Sequence, residues 1–138
     1  LMWLAENFPD GHPILTLLNS KNVKSVDQEF LSKATRIINE HLSDSTFGIE
    51  EFADEMAVSR SQLFRRFITL TGKCPSDFIR CIRLMRAARL IEKNFGNITE
   101  IAMEVGYTNL AHFTGCFRAH FGILPSEYAK RVSGNYCI

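Results

Sequence analysis

The segment Ile49-Glu-Glu-Phe-Ala-Asp-Glu-Met-Ala-Val-Ser59 returns 49 residues later as Ile98-Thr-Glu-Ile-Ala-Met-Glu-Val-Gly-Tyr-Thr108. Ala53 falls on Ala102, Glu55 on Glu104 and Ser59 on Thr108. After one extra residue in the second copy the offset becomes 50, and the match continues through Leu63 and Phe113, Phe67 and Phe117, Gly72 and Gly122, Pro75 and Pro125, Phe78 and Tyr128. A duplicated unit constrains architecture more than any single motif. Each copy opens with apolar residues at helical spacing: Ile49, Phe52, Ala53 and Met56 in one, Ile98, Ile101, Ala102 and Val105 in the other. A three-residue break follows, Ala57 to Ser59 or Gly106 to Thr108, and a second helix then runs from a polar cap to Gly72 or Gly122. This is a helix-turn-helix pattern, with small Ala53 and Ala102 where the two helices cross. Gly106 suits a turn residue with positive φ, whereas a left-handed Ala57 at the equivalent place would cost about 1 kcal/mol, so the first turn is expected to be either strained or differently shaped.

Working outward, Pro75-Ser76 reads as a helix start, and Phe78, Ile79, Ile82, Met85, Ala88, Leu90 and Ile91 sustain helical spacing as far as Asn94. This long connecting helix is expected to hold the two units at a fixed separation and to expose Arg80, Arg83, Arg86 and Arg89. Asn97 and Glu100 form a capping pair that restarts the chain as a helix. Ahead of the repeat, Phe30, Leu31, Ala34, Ile37, Ile38 and Leu42 mark an amphipathic helix from about Asp27 to His41 that covers the first core. Behind it, Ser126 to Arg131 reads as a short closing helix, and Val132 to Ile138 as a frayed end. The expected fold is all-α, about seven helices: residues 1–25 a linker or the tail of a preceding domain, 26–94 the first helix-turn-helix unit with the connecting helix, 95–132 the second unit, 133–138 a tail.

The chain has 138 residues, 46% hydrophobic and 22% charged, a composition that excludes disordered, collagen-like and coiled-coil classes and leaves room for one compact domain or two small ones. No apolar run approaches the roughly 20 residues that span a bilayer, and the start lacks the basic character of a signal peptide. Cys74, Cys81, Cys116 and Cys137 form no CxxC pair, so reduced thiols in a cytoplasmic protein are expected; the lack of an initiator Met suggests a fragment. The net charge of +1 conceals strong polarisation. Ser59 to Lys93 holds nine Lys or Arg against two acids, whereas Glu40 to Met56 holds six acids and no Lys or Arg. A basic stretch of this kind is either a polyanion-binding surface or a solvated face.

From Phe30 to Arg131 the sequence resembles the DNA-binding domain of AraC-type (arabinose-regulator-like) transcription activators, two helix-turn-helix units joined by a long helix. The resemblance rests on Ala53, Ser59-Arg-Ser-Gln-Leu-Phe-Arg-Arg-Phe67, Gly72, Pro75, Ile82-Arg-Leu84, Ala87, Leu90, Ile101-Ala102, Val105-Gly-Tyr107, Phe113, Phe117, Phe121-Gly122 and Pro125. Val26-Asp-Gln-Glu-Phe-Leu31 and Ser59-Arg-Ser-Gln-Leu-Phe64 are most similar to output domains of hybrid two-component sensor-regulators. The resemblance implies sequence-specific binding of double-stranded DNA, the second helix of each unit entering a major groove, with transcription changed and RNA polymerase as the expected protein partner. Two reading helices on a stiff spacer suit successive groove segments about 34 Å apart. Membrane contact is not expected, and any dimerisation is assigned to regions upstream.

The family places groove contacts at positions matching Ser61, Phe64 and Arg65. Arg65 is expected to bond guanine O6 and N7 and Phe64 to press on a thymine methyl, with core packing as the other reading of Phe64. Arg60, Arg66 and Lys73, with Asn109 and Arg118 in the second unit, are assigned to phosphates, and at least one connecting-helix arginine is expected to pack or to pair with the acidic Glu50 to Glu55 helix. The second unit offers Leu110, Ala111, His112, Thr114 and Gly115 where larger polar side chains are usual in the family. His112, Thr114 and Arg118 are therefore expected to supply what contact it makes, with the first unit dominant. His112, Cys116 and His120 share one face as a conceivable zinc trio, but no fourth ligand is evident and no metal or cofactor is expected. No catalytic motif appears, so an enzyme is not expected. The competing reading is a helical protein-interaction module that has lost specific DNA reading.

Overall fold

The computed structural model describes residues 25–134, which form seven helices and no strand. They are α1 (Ser25–Glu40), α2 (Ile49–Met56), α3 (Arg60–Thr71), α4 (Pro75–Glu92), α5 (Ile98–Glu104), α6 (Leu110–Phe121) and α7 (Pro125–Gly134). The closing helix therefore starts a residue early and continues past Val132, where fraying was expected. Buried Pro75 and Pro125 open α4 and α7, where a missing N–H costs nothing. The linker reading of 1–25 and the tail beyond Gly134 lie outside the described residues, apart from Ser25, which opens α1.

The chain divides into two units, one of residues 25–41 and 47–82, the other of residues 42–46 and 83–134, with α4 contributing to both. In the first, Phe67 of α3 is fully buried and its ring lies 5.5 Å from Phe30, 5.8 Å from Phe52 and 4.8 Å from Phe78. In the second, its repeat partner Phe117 lies 5.8 Å from Phe113, 4.6 Å from Phe121 and 5.9 Å from Tyr128. The tilted ring arrangements add to the area each phenyl removes from water. Tyr128, at the place of Phe78, is fully buried and donates its hydroxyl proton to Glu92. Burial, reinforced by that carboxylate, holds its pKa well above the ordinary tyrosine value.

Of the two readings of the first turn, the strained one holds. Ala57 takes φ 60° and ψ 38°, and its N–H reaches Asp54 O at 3.1 Å. Gly106 takes φ 89°, and the N–H of Tyr107 reaches Ala102 O at 2.9 Å. Asn97 and Glu100 cap reciprocally at 2.8 and 3.2 Å, as the sequence predicts.

Arg83 departs from expectation. Helical spacing places it among exposed arginines, yet it is only 7% exposed. Its guanidinium donates to the carbonyls of Leu42, Val105 (2.7 Å) and Asp44 (3.1 Å), and desolvation lowers its pKa, offset by Tyr107 and Asp44. A Cβ on Gly106 would stand 1.6 Å from the Arg83 guanidinium and 2.4 Å from Leu42 O. Nor does a connecting-helix arginine pair with the acidic helix among the described residues. Arg80 bonds Asp77 of its own helix at 2.9 Å, while Glu50 faces Arg60 at 3.6 Å and Glu55 faces His41.

These two turns predict opposite outcomes for one exchange. Ala57→Gly raises stability by about 0.5–1 kcal/mol, because relief of the left-handed alanine exceeds the added chain entropy. Gly106→Ala costs more than about 3 kcal/mol, because it forces a left-handed alanine and displaces a buried charge. Urea unfolding of both variants measures the pair; equal signs would contradict the account.

Candidate nucleic-acid interface

Helix α3 starts where Ser59 Oγ accepts the N–H of Gln62 at 3.1 Å and Gln62 Oε1 accepts the N–H of Ser59 at 3.1 Å. It ends at Gly72 with φ 75°. Between them Leu63 and Phe67 point inward, fully buried, which leaves Arg60, Ser61, Phe64, Arg65 and Thr69 exposed. Core packing is thereby excluded for Phe64, which is 52% exposed. A shallow hollow beside these residues is lined by Arg60, Ser61, Phe64, Arg65, Cys74 and Ser76.

The three arginines of α3 are held differently. Arg60 lies 3.6 Å from Glu50, both well exposed. Arg66 is turned toward α1, its guanidinium 3.9 Å above the Phe30 ring and 3.6 Å from Asp27. Arg65 has no hydrogen-bond or ion-pair partner among the described residues. Lys73, half-buried in the loop after α3, has no ion-pair partner among them either. Cys81, behind that loop on α4, is buried, and desolvation pushes its thiol up to about 12, so it stays a neutral core group.

Helix α6 also has 12 residues and begins at Asn109, whose Oδ1 accepts the N–H of His112 at 3.1 Å. The cap is thus Asn109, one residue beyond Thr108: its side-chain oxygen is taken up by the helix, and its amide NH2 is the group that could donate to a phosphate. The helix ends at Gly122 with φ 81°. His112 is exposed and meets Tyr107 edge to face at 5.4 Å; Thr114 is half-buried; Arg118 is exposed. A Cβ at Gly115 would stand in open space, so no neighbour demands a glycine there.

Aligned cap to cap, Arg60 corresponds to Leu110, Phe64 to Thr114, Arg65 to Gly115, Arg66 to Cys116 and Ile68 to Arg118. The inward positions are shared and the outward ones are not. The second helix has glycine at the place of Arg65, and its own exposed arginine, Arg118, stands at the place of Ile68. Sequence reasoning passed over Ile68, 41% exposed and one turn beyond Phe64, although its i+4 spacing from Phe64 was there to be read.

No group of three or more metal-ligating side chains occurs among the described residues, His112, Cys116 and His120 included. No helix among them is long and apolar enough to cross a membrane.

Residues 52–131 match a family model described as a helix-turn-helix domain. Histidine kinase P4 of Formosa agariphila is 36% identical over 114 residues, covering 83% of this chain and 8% of that protein. The chain spans between 8% and 29% of three of the curated relatives it matches. A transcriptional regulator of Chromobacterium violaceum with an AraC-type DNA-binding domain superposes with a TM-score of 0.72 at 27% identity, over 80% of this chain and 97% of that one. The DNA-binding domain of AdpA, solved in complex with a target DNA, superposes with a TM-score of 0.69 at 28% identity, over 75% of this chain and 93% of that one. With the duplicated cap-turn-helix geometry and the family match over more than half its length, the chain belongs to the helix-turn-helix family of AraC-type DNA-binding domains.

Proposed function

We propose that this domain binds double-stranded DNA at specific sequences and regulates transcription, with α3 the dominant major-groove reader and α6 the lesser one. The observation that carries this reading is Arg65, an exposed guanidinium on the outward face of α3 without an internal partner among the described residues, whereas Arg60 and Arg66 of the same helix each face a carboxylate. Ser61, Phe64 and Arg65 read base edges from α3, and His112 and Thr114 do so from α6. Arg60, Lys73 and Arg118 meet phosphates, which position the domain without choosing a sequence. Arg60 exchanges its exposed contact with Glu50 for a phosphate at small cost, since such surface pairs are worth about 0–1 kcal/mol. Arg66, over Phe30 and beside Asp27, is the least available of the assigned cations, and Asn109 is free only through its amide NH2. The similarity to the AdpA domain, which was solved on a target DNA, supports the same partner here.

The similarity to histidine kinase P4 supports a further reading, that this is the output domain of a hybrid two-component regulator acting in the cytoplasm on promoters served by RNA polymerase. In that arrangement the signal is received elsewhere in the protein. The domain described here supplies the address on DNA.

Selection of duplexes from a random pool, followed by affinity measurements from 50 to 200 mM salt, tests the proposal. If about four phosphates are neutralised, affinity falls roughly 100-fold across that range. A flat response for every duplex would favour a protein-interaction module, for which the apolar Leu110 at the place of Arg60 is the feature in favour. Arg65→Ala is expected to cost about 1–3 kcal/mol on the selected site and little on unrelated DNA, whereas Lys73→Ala weakens both alike and lowers the salt slope by about 1. Equal losses for Arg65→Ala on both duplexes would remove its base-reading role.

A further inference from the structure

Phe64 and Ile68 are large apolar side chains, 52% and 41% exposed, four residues apart on α3 and therefore side by side on one flank of its outer face. Exposed apolar pairs of this kind call for an explanation when nothing covers them. Packing does not supply one. The repeat builds the same 12-residue helix on the same inward residues with Thr114 and Arg118 at these two places, so the fold itself tolerates polar groups there. Arg65, unpartnered among the described residues, lines the same hollow as Phe64 and stands one turn before Ile68, on the outward side of the pair. The cations Arg60 and Arg65, which line the same hollow as Phe64, favour a polyanion over an apolar protein surface as the occupant.

The apolar feature that DNA presents in its major groove is the methyl group at C5 of a pyrimidine, while guanine presents the O6 and N7 pair that a guanidinium grips with two hydrogen bonds. We infer that α3 reads a C5-methylated pyrimidine adjoining a guanine, with Phe64 and Ile68 as the methyl-contacting pair and Arg65 on the guanine. This rests on the DNA-binding reading above and assigns Ile68 a role in specificity. Phenyl and sec-butyl groups form no hydrogen bonds, so they are indifferent to whether the pyrimidine carries the O4 of thymine or the N4 amine of cytosine. What they detect is the methyl. Hence 5-methylcytosine replaces thymine at that position, and unmethylated cytosine does not. Binding at such sites responds to cytosine methylation.

The test uses the full chain and duplexes carrying the selected site, with each thymine changed in turn to deoxyuridine, or to cytosine or 5-methylcytosine with the opposite adenine changed to guanine. Beside the guanine whose contribution vanishes in Arg65→Ala, deoxyuridine is expected to weaken binding about 3- to 10-fold, as the loss of one buried methyl contact implies, with cytosine similar and 5-methylcytosine within about twofold of thymine. Phe64→Thr and Ile68→Thr, exchanges the repeat shows the fold to accept in kind, should each flatten that difference while leaving helical content and melting unchanged. Equal affinity for thymine and deoxyuridine beside that guanine overturns the inference, as does a purine or unmethylated cytosine selected there, or a methyl effect that survives in both variants. A chain that selects no duplex at any salt overturns the DNA-binding reading itself. One that selects a duplex but ignores the methyl overturns only the methyl-reading pair.

Discussion

The guanidinium of Arg83 organises the unit that holds the second helix-turn-helix. A buried cation is tolerated only where its donors find acceptors, and here the carbonyls of Leu42, Asp44 and Val105 provide them. Two of those carbonyls belong to the loop before α2 and the third to the end of α5, so one side chain from α4 ties a loop and a turn to the same point. The requirement passes on to Gly106, whose missing Cβ leaves the space the guanidinium fills. The first unit has no such arginine at its turn, and there Ala57 occupies the left-handed region at the cost of strain alone. The same turn therefore carries different residues in the two copies for a reason of packing, and only one of them is sterically obligatory.

Duplication with a conserved interior and a changed exterior explains the remainder of the molecule. Leu63 and Phe113, Phe67 and Phe117, Phe78 and Tyr128 are all buried to 1% exposure or less. The polar hydroxyl at the last of these places is accommodated because Glu92 accepts its proton. On the outside the copies part: Arg60, Arg65 and Arg66 against Leu110, Gly115 and Cys116. Stability fixes the first set of positions, so they diverge little. The outward set answers only to what the helices touch.

Much of this was legible beforehand because periodicity reports burial wherever a side chain is short and apolar. Leu63 and Phe67 facing inward, the Asn97–Glu100 cap and positive φ at Gly106 all follow from spacing and residue type. Arg83 was not legible, because a long side chain on a helix flank reaches either water or a distant carbonyl, and the residues that decide, Leu42, Asp44 and Val105, are 22 to 41 positions away. Which polar residue caps α6 was left open for a different reason. Ser59 matches Thr108 in chemical type, and only the hydrogen bond to the N–H of His112 shows that the extra residue of the second copy precedes the cap. The pairing of the acidic helix with Arg60 and His41 in place of a connecting-helix arginine likewise needed tertiary information.

Internal partners distinguish the arginines of the basic run in a way that charge density does not. Nine Lys or Arg lie between Ser59 and Lys93, and as a run they are indistinguishable. Arg83 is consumed by three carbonyls, Arg66 by an aromatic ring and a carboxylate, and Arg80 by a neighbour on its own helix. An arginine already bound must break those contacts before it can bind anything else, and a buried one must also leave its acceptors unsatisfied. Arg65 on α3, like the exposed Arg86 and Arg89 on α4, has no such contact among the described residues. Gly115, its counterpart, carries the converse implication: a helical glycine costs about 0.5–1 kcal/mol relative to alanine, and with open space around it no internal contact gives that cost back. At this position the second helix accordingly has neither the reach nor the charge of the first, and the asymmetry between the two units lies in their outward residues.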